Sequence, residues 1–268
     1  MAAEHCCDCN GVSLRYRDGG SGPAVVLVHG WTLDLEMWNP QTTALSDSFR
    51  TIAYDRRGFG LSAGHPSTAL DVEDLESLTQ LLGLERFALV GMSQGARAVM
   101  GLALSAAEMI SCVVLDGPPD LIGTDNSDYE SPPQDGRDGR GGGIDAFRRE
   151  WIDHPLMRLR TRDRSTHQAL QSMIDRYPGK DFAAASVAAK PGIGLQQLES
   201  FDVPTLVVTG EYDLADRIES ANSLARRLRR STRATVPDAG HLPNLDNPAA
   251  YNAILHEFLG RYHSTAPG

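Results

Sequence analysis

Short, fully apolar segments recur along the chain, and segments with helical spacing of apolar residues lie between them. A short, fully apolar run is typical of a strand that is buried on both faces of a parallel sheet. Residues 24–28 form such a run, and similar β-rich runs predict strands at residues 12–16, 51–54, 87–90, 112–115, 205–209 and 234–236. Helical spacing predicts helices at residues 71–82, 94–106, 217–228 and 248–259. This alternation indicates an α/β fold, in which helices cover both faces of a mainly parallel sheet.

One long segment interrupts the alternation. Residues 118–199 contain no convincing buried strand, and helical spacing is found only at 144–152 and 166–177. Residues 134–143 are rich in Gly, Asp and Arg, which predicts a mobile loop because little apolar area can be buried there. A helical insertion between two sheet strands is best interpreted as a cap over a site. We therefore predict a core domain of residues 1–117 and 200–268, and a cap domain of residues 118–199.

Composition limits the partners and the location. The chain has 268 residues, which is enough for one large core, and its formal charge is −10. A negative surface repels a phosphate backbone, so we do not expect nucleic acid as a partner. No apolar run is long enough for a membrane span, and the polar start is unlike a signal peptide. These features predict a cytoplasmic protein without membrane contacts, either a monomer or a homodimer.

The cysteines do not suggest a metal site. Cys6, Cys7 and Cys9 lie together near the start of the chain, and Cys112 lies in an apolar run. The spacing Cys-Cys-x-Cys does not complete a zinc site, and no pair of histidines follows at the spacing of a zinc finger. We expect the first three in an exposed, reduced tail, and Cys112 in the core.

Ser93 is the candidate nucleophile. It lies in the sequence Gly91-Met92-Ser93-Gln94-Gly95, directly between a predicted strand and a predicted helix. Gly-x-Ser-x-Gly recurs by chance, but a tight strand-to-helix turn needs small residues on both sides of the serine. The positive end of the helix dipole then lies beside the hydroxyl.

The candidate base and acid follow two later strands. His241 comes after the predicted strand 234–236, and Asp213 comes after the predicted strand 205–209. Because the carboxyl ends of parallel strands meet at one edge of a sheet, both residues can approach Ser93. A serine hydroxyl needs a base to become a good nucleophile, and the base needs a carboxylate to orient it. The chain order Ser, Asp, His is the one expected for a nucleophile on such a turn.

Other acids remain possible partners of the histidine. Asp116 follows another predicted strand, and Glu211 and Asp216 lie close to Asp213. We favour Asp213, because Asp116 begins an Asp-Gly-Pro-Pro sequence that is typical of a turn into the cap. The histidines that lie outside any such pattern are predicted to be surface residues: His154, His167, His256 and His263.

Together these motifs resemble the α/β-hydrolase family, over about residues 12–259. His29-Gly30-Trp31 follows a buried strand, and residues 55–62 resemble the family loop Asp-x-Arg-Gly-x-Gly-x-Ser. The resemblance implies that the backbone amides of Trp31 and Gln94 form an oxyanion hole, and that the Trp31 ring can also line the pocket. It implies structural roles for His29 and for the 55–62 loop.

Two further details, Leu242-Pro243-Asn244-Leu245 and the Phe147-x-x-x-Trp151 spacing, are similar to small serine esterases and enol-lactonase-like members. The resemblance implies hydrolysis of a small carboxylic ester or lactone through an acyl-enzyme on Ser93, without a metal or an organic cofactor. Haloalkane dehalogenases and epoxide hydrolases of the family carry Asp at this position, which disfavours them. A carbon–carbon bond hydrolase, an acyltransferase, a cofactor-free lyase or cyclase, and a ligand-binding receptor remain open alternatives.

Overall fold

An eight-stranded sheet lies at the centre of the computed structural model, which describes residues 3–122, 143–182 and 193–263. The strand order is β1-β2-β4-β3-β5-β6-β7-β8. Neighbours from β4 to β8 run parallel, and the pairs β1–β2 and β2–β4 are antiparallel. The strands are β1 (Ala3–Cys9), β2 (Val12–Gly19), β3 (Ala24–Val28), β4 (Arg50–Tyr54), β5 (Phe87–Met92), β6 (Ile110–Asp116), β7 (Thr205–Gly210) and β8 (Ser231–Val236).

Helices connect most of these strands. Every strand and helix predicted from the sequence is present, with ends that differ by a few residues. Three short helices were not predicted, and they lie at Asn39–Leu45, Leu195–Ser200 and Pro243–Asp246. The helices are α1 (Asn39–Leu45), α2 (Asp71–Leu81), α3 (Gly95–Ser105), α4 (Gly143–Trp151), α5 (Arg164–Arg176), α6 (Leu195–Ser200), α7 (Ala215–Arg227), α8 (Pro243–Asp246) and α9 (Pro248–Tyr262).

The central strands of the sheet are buried on both faces. Along β3, Val25 and Leu27 point into one apolar cluster, which also contains side chains of α1, α4, α5 and α9. Val26 and Val28 point into a second cluster, which contains side chains of α2, α3 and α7. Successive side chains of a strand point to opposite faces, so a strand with helices on both sides must be apolar throughout. The predicted mainly parallel sheet with helices on both faces is therefore confirmed.

The prediction of an exposed N-terminal tail is wrong. The segment forms β1, which turns at Asn10 and Gly11 and pairs with β2 at the edge of the sheet. Cys6 is exposed, but Cys7 is half-buried and Cys9 is fully buried, and all are free thiols. Alternation along the strand puts Cys7 and Cys9 on the same inner face, with their sulfur atoms 3.1 Å apart.

The segment between residues 118 and 199 is helical where the structure describes it. It contains α4, α5 and α6, and its only β-type pairing among described residues is a single bridge between Ile122 and Ile193. Residues 134–142, nearly all of the predicted mobile loop, lie outside the described residues. Within the described ranges, no helix is both long and apolar enough to cross a membrane. The helices α4 and α5 pack on the cluster that covers the α1 and α9 face of the sheet.

Candidate active site

Ser93 occupies a strained turn between β5 and α3. Its φ of +50° lies in the left-handed region, which is uncommon for a residue other than glycine. The Ser93 amide donates a hydrogen bond of 2.7 Å to the carbonyl oxygen of Asp116, at the end of the neighbouring strand β6. Only 5% of Ser93 is exposed. The turn therefore places a nearly buried Ser93 at the carboxyl end of β5, directly before α3.

The two glycines of the motif are sterically required. A Cβ on Gly91 would lie 2.7 Å from Cγ2 of Val99 in α3. A Cβ on Gly95 would lie 2.6 Å from the carbonyl oxygens of Val28 and His29. Real Cβ atoms do not approach other atoms so closely, so only glycine lets α3 pack against β5 and against the end of β3. This close packing keeps the turn in its strained conformation.

The loop after β3 lies directly against the Ser93 turn. A Cβ on Gly30 would be 2.7 Å from Sδ of Met92 and 3.4 Å from Cβ of Ser93. Trp31 is the next residue, and Gln94 follows Ser93 at the start of α3. Among the described residues, neither of their backbone amides has a hydrogen-bond partner. Two N–H donors beside a nucleophile can stabilise negative charge that develops on a carbonyl oxygen.

His29 is neutral and holds the loop that follows β3. Its Nδ1–H donates to the Gly30 carbonyl at 2.7 Å, and its Nε2 accepts from the Arg56 amide at 2.8 Å. Complete burial lowers the pKa of His29 to about 3. The Arg56 guanidinium in turn donates to Asp71 at 2.6 Å and to the side-chain oxygen of Gln94 at 2.8 Å. The role of Arg56 in holding Gln94 was not predicted.

The 55–62 loop is held together by Asp55. Its carboxylate accepts hydrogen bonds from the amides of Leu35 and Leu61, both at 2.8 Å, and pairs with Arg15 at 3.2 Å. Gly60 packs so closely on this carboxylate that a Cβ there would clash. Burial raises the pKa of Asp55 to about 6. These contacts are structural and fix the loop that presents Arg56.

The structure brings Asp213 and His241 together. Nδ1 of His241 lies 3.0 Å and 3.1 Å from the two carboxylate oxygens of Asp213, and both residues are at least nine-tenths buried. The two loops that carry them are joined by a hydrogen bond of 2.8 Å from the Tyr212 amide to the Ala239 carbonyl. Close packing of Gly210 against the loop before His241 leaves no room for a side chain. The carboxylate is thus positioned to stabilise an imidazolium.

The alternative acids do not contact the imidazole. The carboxyl of Asp116 is buried and faces the Tyr251 hydroxyl rather than the imidazole of His241. Burial, and then the negative charge of Asp213, raise the pKa of Asp116 well above its usual range. Glu211 is exposed and accepts a hydrogen bond from the Asp238 amide at 3.1 Å. Asp216 is exposed on α7.

Gly117 lies between the Ser93 turn and the His241–Asp213 pair, a role that the sequence did not indicate. A Cβ there would be 2.9 Å from Cε1 of His241 and 3.4 Å from Oδ2 of Asp213. Its φ of +50° also favours glycine. The preceding residue, Asp116, accepts the Ser93 amide. The end of β6 therefore touches both halves of the site.

Aromatic side chains of α4 and its neighbours cover Trp31, in the loop that follows β3. The Trp31 ring lies 5.0 Å from Trp151, 5.8 Å from Phe147 and 6.1 Å from Tyr177, measured between ring centroids. Its indole N–H donates to Asp181 at 2.7 Å, and the Tyr177 hydroxyl donates to the other oxygen of that carboxylate. The two hydrogen bonds fix the Trp31 ring against the predicted cap.

One histidine predicted to be at the surface is buried. His167 and His256 are exposed, and His154 is half-buried. His263, however, is 5% exposed, with Nδ1 2.6 Å from the Ser111 hydroxyl and Nε2 2.8 Å from the carbonyl at the start of β3. The prediction is wrong for His263 because the end of α9 packs back onto the sheet, which local sequence context does not show.

Known proteins share this architecture. The family model described as alpha/beta hydrolase fold matches residues 23–248. A putative non-heme chloroperoxidase of Synechocystis sp. is 29% identical, covering 92% of this chain and 95% of its own. The 3-oxoadipate enol-lactonase 1 of Acinetobacter baylyi is 25% identical over 92% of each chain. A thermophilic esterase from Thermogutta terrifontis is 27% identical, with a TM-score of 0.79 over 98% of this chain and 100% of that one.

Proposed function

Because the chain belongs to the α/β-hydrolase family, we propose that it is a serine hydrolase that cleaves a carboxylic ester or lactone of a small molecule. The observation that carries the proposal is the buried contact of 3.0 Å between Nδ1 of His241 and Asp213. With Nδ1 held by the carboxylate, Nε2 is the nitrogen that can accept the proton of Ser93. The enol-lactonase and esterase relatives support this class of substrate.

The proposed reaction proceeds in two halves. Ser93 Oγ attacks the substrate carbonyl while His241 takes its proton, and the amides of Trp31 and Gln94 stabilise the oxyanion. Collapse of this intermediate expels the alcohol, which receives the proton from His241, and leaves an acyl-enzyme. Water, deprotonated by His241, then attacks the acyl carbonyl. Collapse of this second intermediate breaks the bond to Ser93 Oγ, which takes the proton back from His241, and releases the acid. Asp213 orients His241 in both halves, and no metal or organic cofactor takes part.

The aromatic cluster around Trp31 supports a compact, apolar acyl group. Trp31, Phe147, Trp151 and Tyr177 are all buried and pack ring against ring, and the Asp181 carboxylate contacts only the polar edges of this cluster, the Trp31 indole N–H and the Tyr177 hydroxyl. Apolar walls exclude water and strengthen the hydrogen bonds to the oxyanion.

The cap boundaries, the cytoplasmic location and the monomeric or homodimeric state remain predictions from the sequence.

Ester hydrolysis and covalent labelling test the proposal together. A series of p-nitrophenyl esters of increasing chain length, run beside a panel of lactones, should show turnover that is lost in Ser93→Ala. A fluorophosphonate should add to the wild type once, as seen by intact mass, and should not add to Ser93→Ala. Ser111→Ala is the matched control. Ser111 is also buried, but its hydroxyl contacts His263 at the end of α9, so the Ser111→Ala variant should still be labelled at Ser93.

Each alternative gives a different result. Consumption of a substrate that survives Ser93→Ala would indicate a lyase or cyclase instead. A burst of product without turnover would indicate a receptor that has kept the site. Faster product formation with an added alcohol or amine acceptor would indicate an acyltransferase. Absence of a Ser93 adduct would rule out the serine mechanism.

A further inference from the structure

The carboxylate of Asp246 accepts three backbone hydrogen bonds from two separate segments. Oδ2 accepts the amide of Gly240 at 2.7 Å, directly before His241. Oδ1 accepts the amides of Arg160 at 2.6 Å and Thr161 at 3.0 Å, in the segment between α4 and α5. Asp246 ends α8 and is 7% exposed. One nearly buried carboxylate therefore joins the histidine loop to the predicted cap.

The two segments also touch each other directly. A Cβ on Gly240 would lie 3.3 Å from the Arg158 carbonyl oxygen and 3.5 Å from Oδ2 of Asp246. On its other side, the Gly240 carbonyl lies against Gly210, the last residue of β7, which leads to Asp213. A displacement of the segment after α4 would therefore be transmitted to the loop that holds the histidine.

The contacts to Asp246 depend on its two acceptor oxygens. Arg160 binds Asp246 through its backbone amide alone, since its guanidinium lies over the ring of Tyr212, 3.8 Å from the ring centroid. An asparagine would offer one acceptor oxygen and one NH₂ donor, and the donor would face N–H groups. It could satisfy either the Gly240 amide or the Arg160 and Thr161 amides, but not both. Buried N–H groups that lose their acceptor are costly.

We propose that Asp246 is a positioning residue that aligns His241 on Asp213 by holding the histidine loop and the segment of residues 158–161 in one register. This inference rests on the proposed function, since it assumes that His241 is the catalytic base. It predicts that loss of Asp246 slows the chemical steps that need the base, rather than substrate binding.

Asp246→Asn tests this, with Asp74→Asn as the matched control. Asp74 is also a buried carboxylate, 1% exposed, but it binds Arg57 and Asn10 on the α2 face of the sheet. Small displacements of catalytic groups cost up to about 100-fold in rate. We expect Asp246→Asn to lower kcat for p-nitrophenyl acetate by roughly 10- to 100-fold. The rate of Ser93 labelling by a fluorophosphonate should fall by the same factor, with little change in KM.

The control separates positioning from folding. Asp74→Asn should lower the melting temperature yet keep kcat and the labelling rate close to wild type. If Asp246→Asn lowers only the melting temperature, Asp246 has a structural role and the inference is wrong. If Asp246→Asn does not fold, Asp246→Glu replaces it, since Glu keeps both oxygens but displaces them by one methylene. Its kcat and labelling rate should fall together, and unchanged values would overturn the inference.

Failure of the proposed function gives a different pattern. If the wild type is not labelled at Ser93 and hydrolyses no ester, the serine mechanism is wrong and this inference falls with it. If the wild type is labelled and Asp246→Asn is labelled equally fast, only the inference about Asp246 is wrong. A rise in KM with unchanged labelling would show that Asp246 acts on substrate binding alone, and would also overturn it.

Discussion

Asp116 and Asp213 are buried neighbours, but only the carboxylate of Asp213 hydrogen-bonds the imidazole of His241. Burial and the nearby negative charge raise the pKa of Asp116 well above its usual range, which disfavours the charged form of its carboxyl. A carboxyl whose charged form is disfavoured is a poor partner for an imidazolium. The electrostatics therefore favour Asp213 as the acid, although both residues lie close to the same edge of the sheet.

Asp213→Asn should lower kcat by at least roughly 100-fold while the protein stays folded, because the lost contact strengthens in the transition state. Asp116→Asn and Glu211→Gln should each cost less than about tenfold. Steady-state kinetics with one ester substrate would measure these values, after thermal melting has shown that each variant is folded. A crippled Asp116→Asn beside a mild Asp213→Asn would place the acid on β6 instead.

Gly117→Ala should lower kcat, because the new methyl would lie 2.9 Å from Cε1 of His241 and push the imidazole off Asp213. We expect a loss of roughly tenfold or more. Gly83→Ala is the matched control: its φ of +63° is also positive, but no atom lies within 4 Å of the added Cβ. Both variants should lose stability, by about 1 kcal/mol from backbone strain. Equal kcat values in the two variants would contradict the assignment.

His29 should make the protein less stable in mild acid. Its folded pKa of about 3 is far below the ordinary value of 6.5, so its contribution is complete above pH 6.5 and is lost as the pH falls toward 3. Between pH 7 and pH 5 the loss is about 2 kcal/mol of unfolding free energy. Asp55, with a raised pKa of about 6, opposes this change because it takes up a proton in the folded state.

Comparison with His29→Asn isolates that effect, since Asp55 titrates in both proteins. Urea unfolding at pH 7 and pH 5 should show the smaller pH dependence in His29→Asn. The same pH dependence in both proteins would mean that His29 does not contribute, and that its neutral state in the fold is misassigned.

Trp31 and Asp181 should be energetically coupled through their hydrogen bond of 2.7 Å. Hydrogen bonds to charged groups contribute about 1.5–3 kcal/mol, so Trp31→Phe and Asp181→Asn should be non-additive by roughly that amount. Urea unfolding of the single and double variants measures this coupling. Trp38→Phe is the control, because the buried Trp38 N–H has no hydrogen-bond partner among the described residues. It should combine additively with Asp181→Asn, and additivity of Trp31→Phe would contradict the prediction.

The sheet and the candidate reactive residues could be predicted because their signals are local. Ser93, Asp213 and His241 each come at or shortly after the end of a strand, and parallel strands bring their carboxyl ends to one edge. Strand β1 was not predicted from the sequence. Its residues Ala3–Cys9 include Glu, His and Asp, so the strand contains no apolar run, although Cys7 and Cys9 lie on its inner face.

The residues that hold the site together could not be predicted, because their contacts are distant in sequence. Asp246 binds a segment more than 80 residues away, and Asp181 binds Trp31 across 150 residues. Arg56 reaches Gln94 from a different loop. Such pairs depend on how elements pack, and an isolated Asp or Arg in a polar stretch carries no sign of its partner. Gly117 likewise has a visible role only once β6 lies beside the His241 loop.

The left-handed conformation of Ser93 lowers the stability of the fold at the residue that the proposed reaction requires. Holding a non-glycine residue at φ +50° costs about 1–2 kcal/mol, which the rest of the fold must offset. Ser93→Gly should relieve this cost and be more stable than Ser93→Ala, though both are inactive. Selection for thermal stability alone would therefore favour glycine at position 93, although the proposed reaction needs the Ser93 hydroxyl.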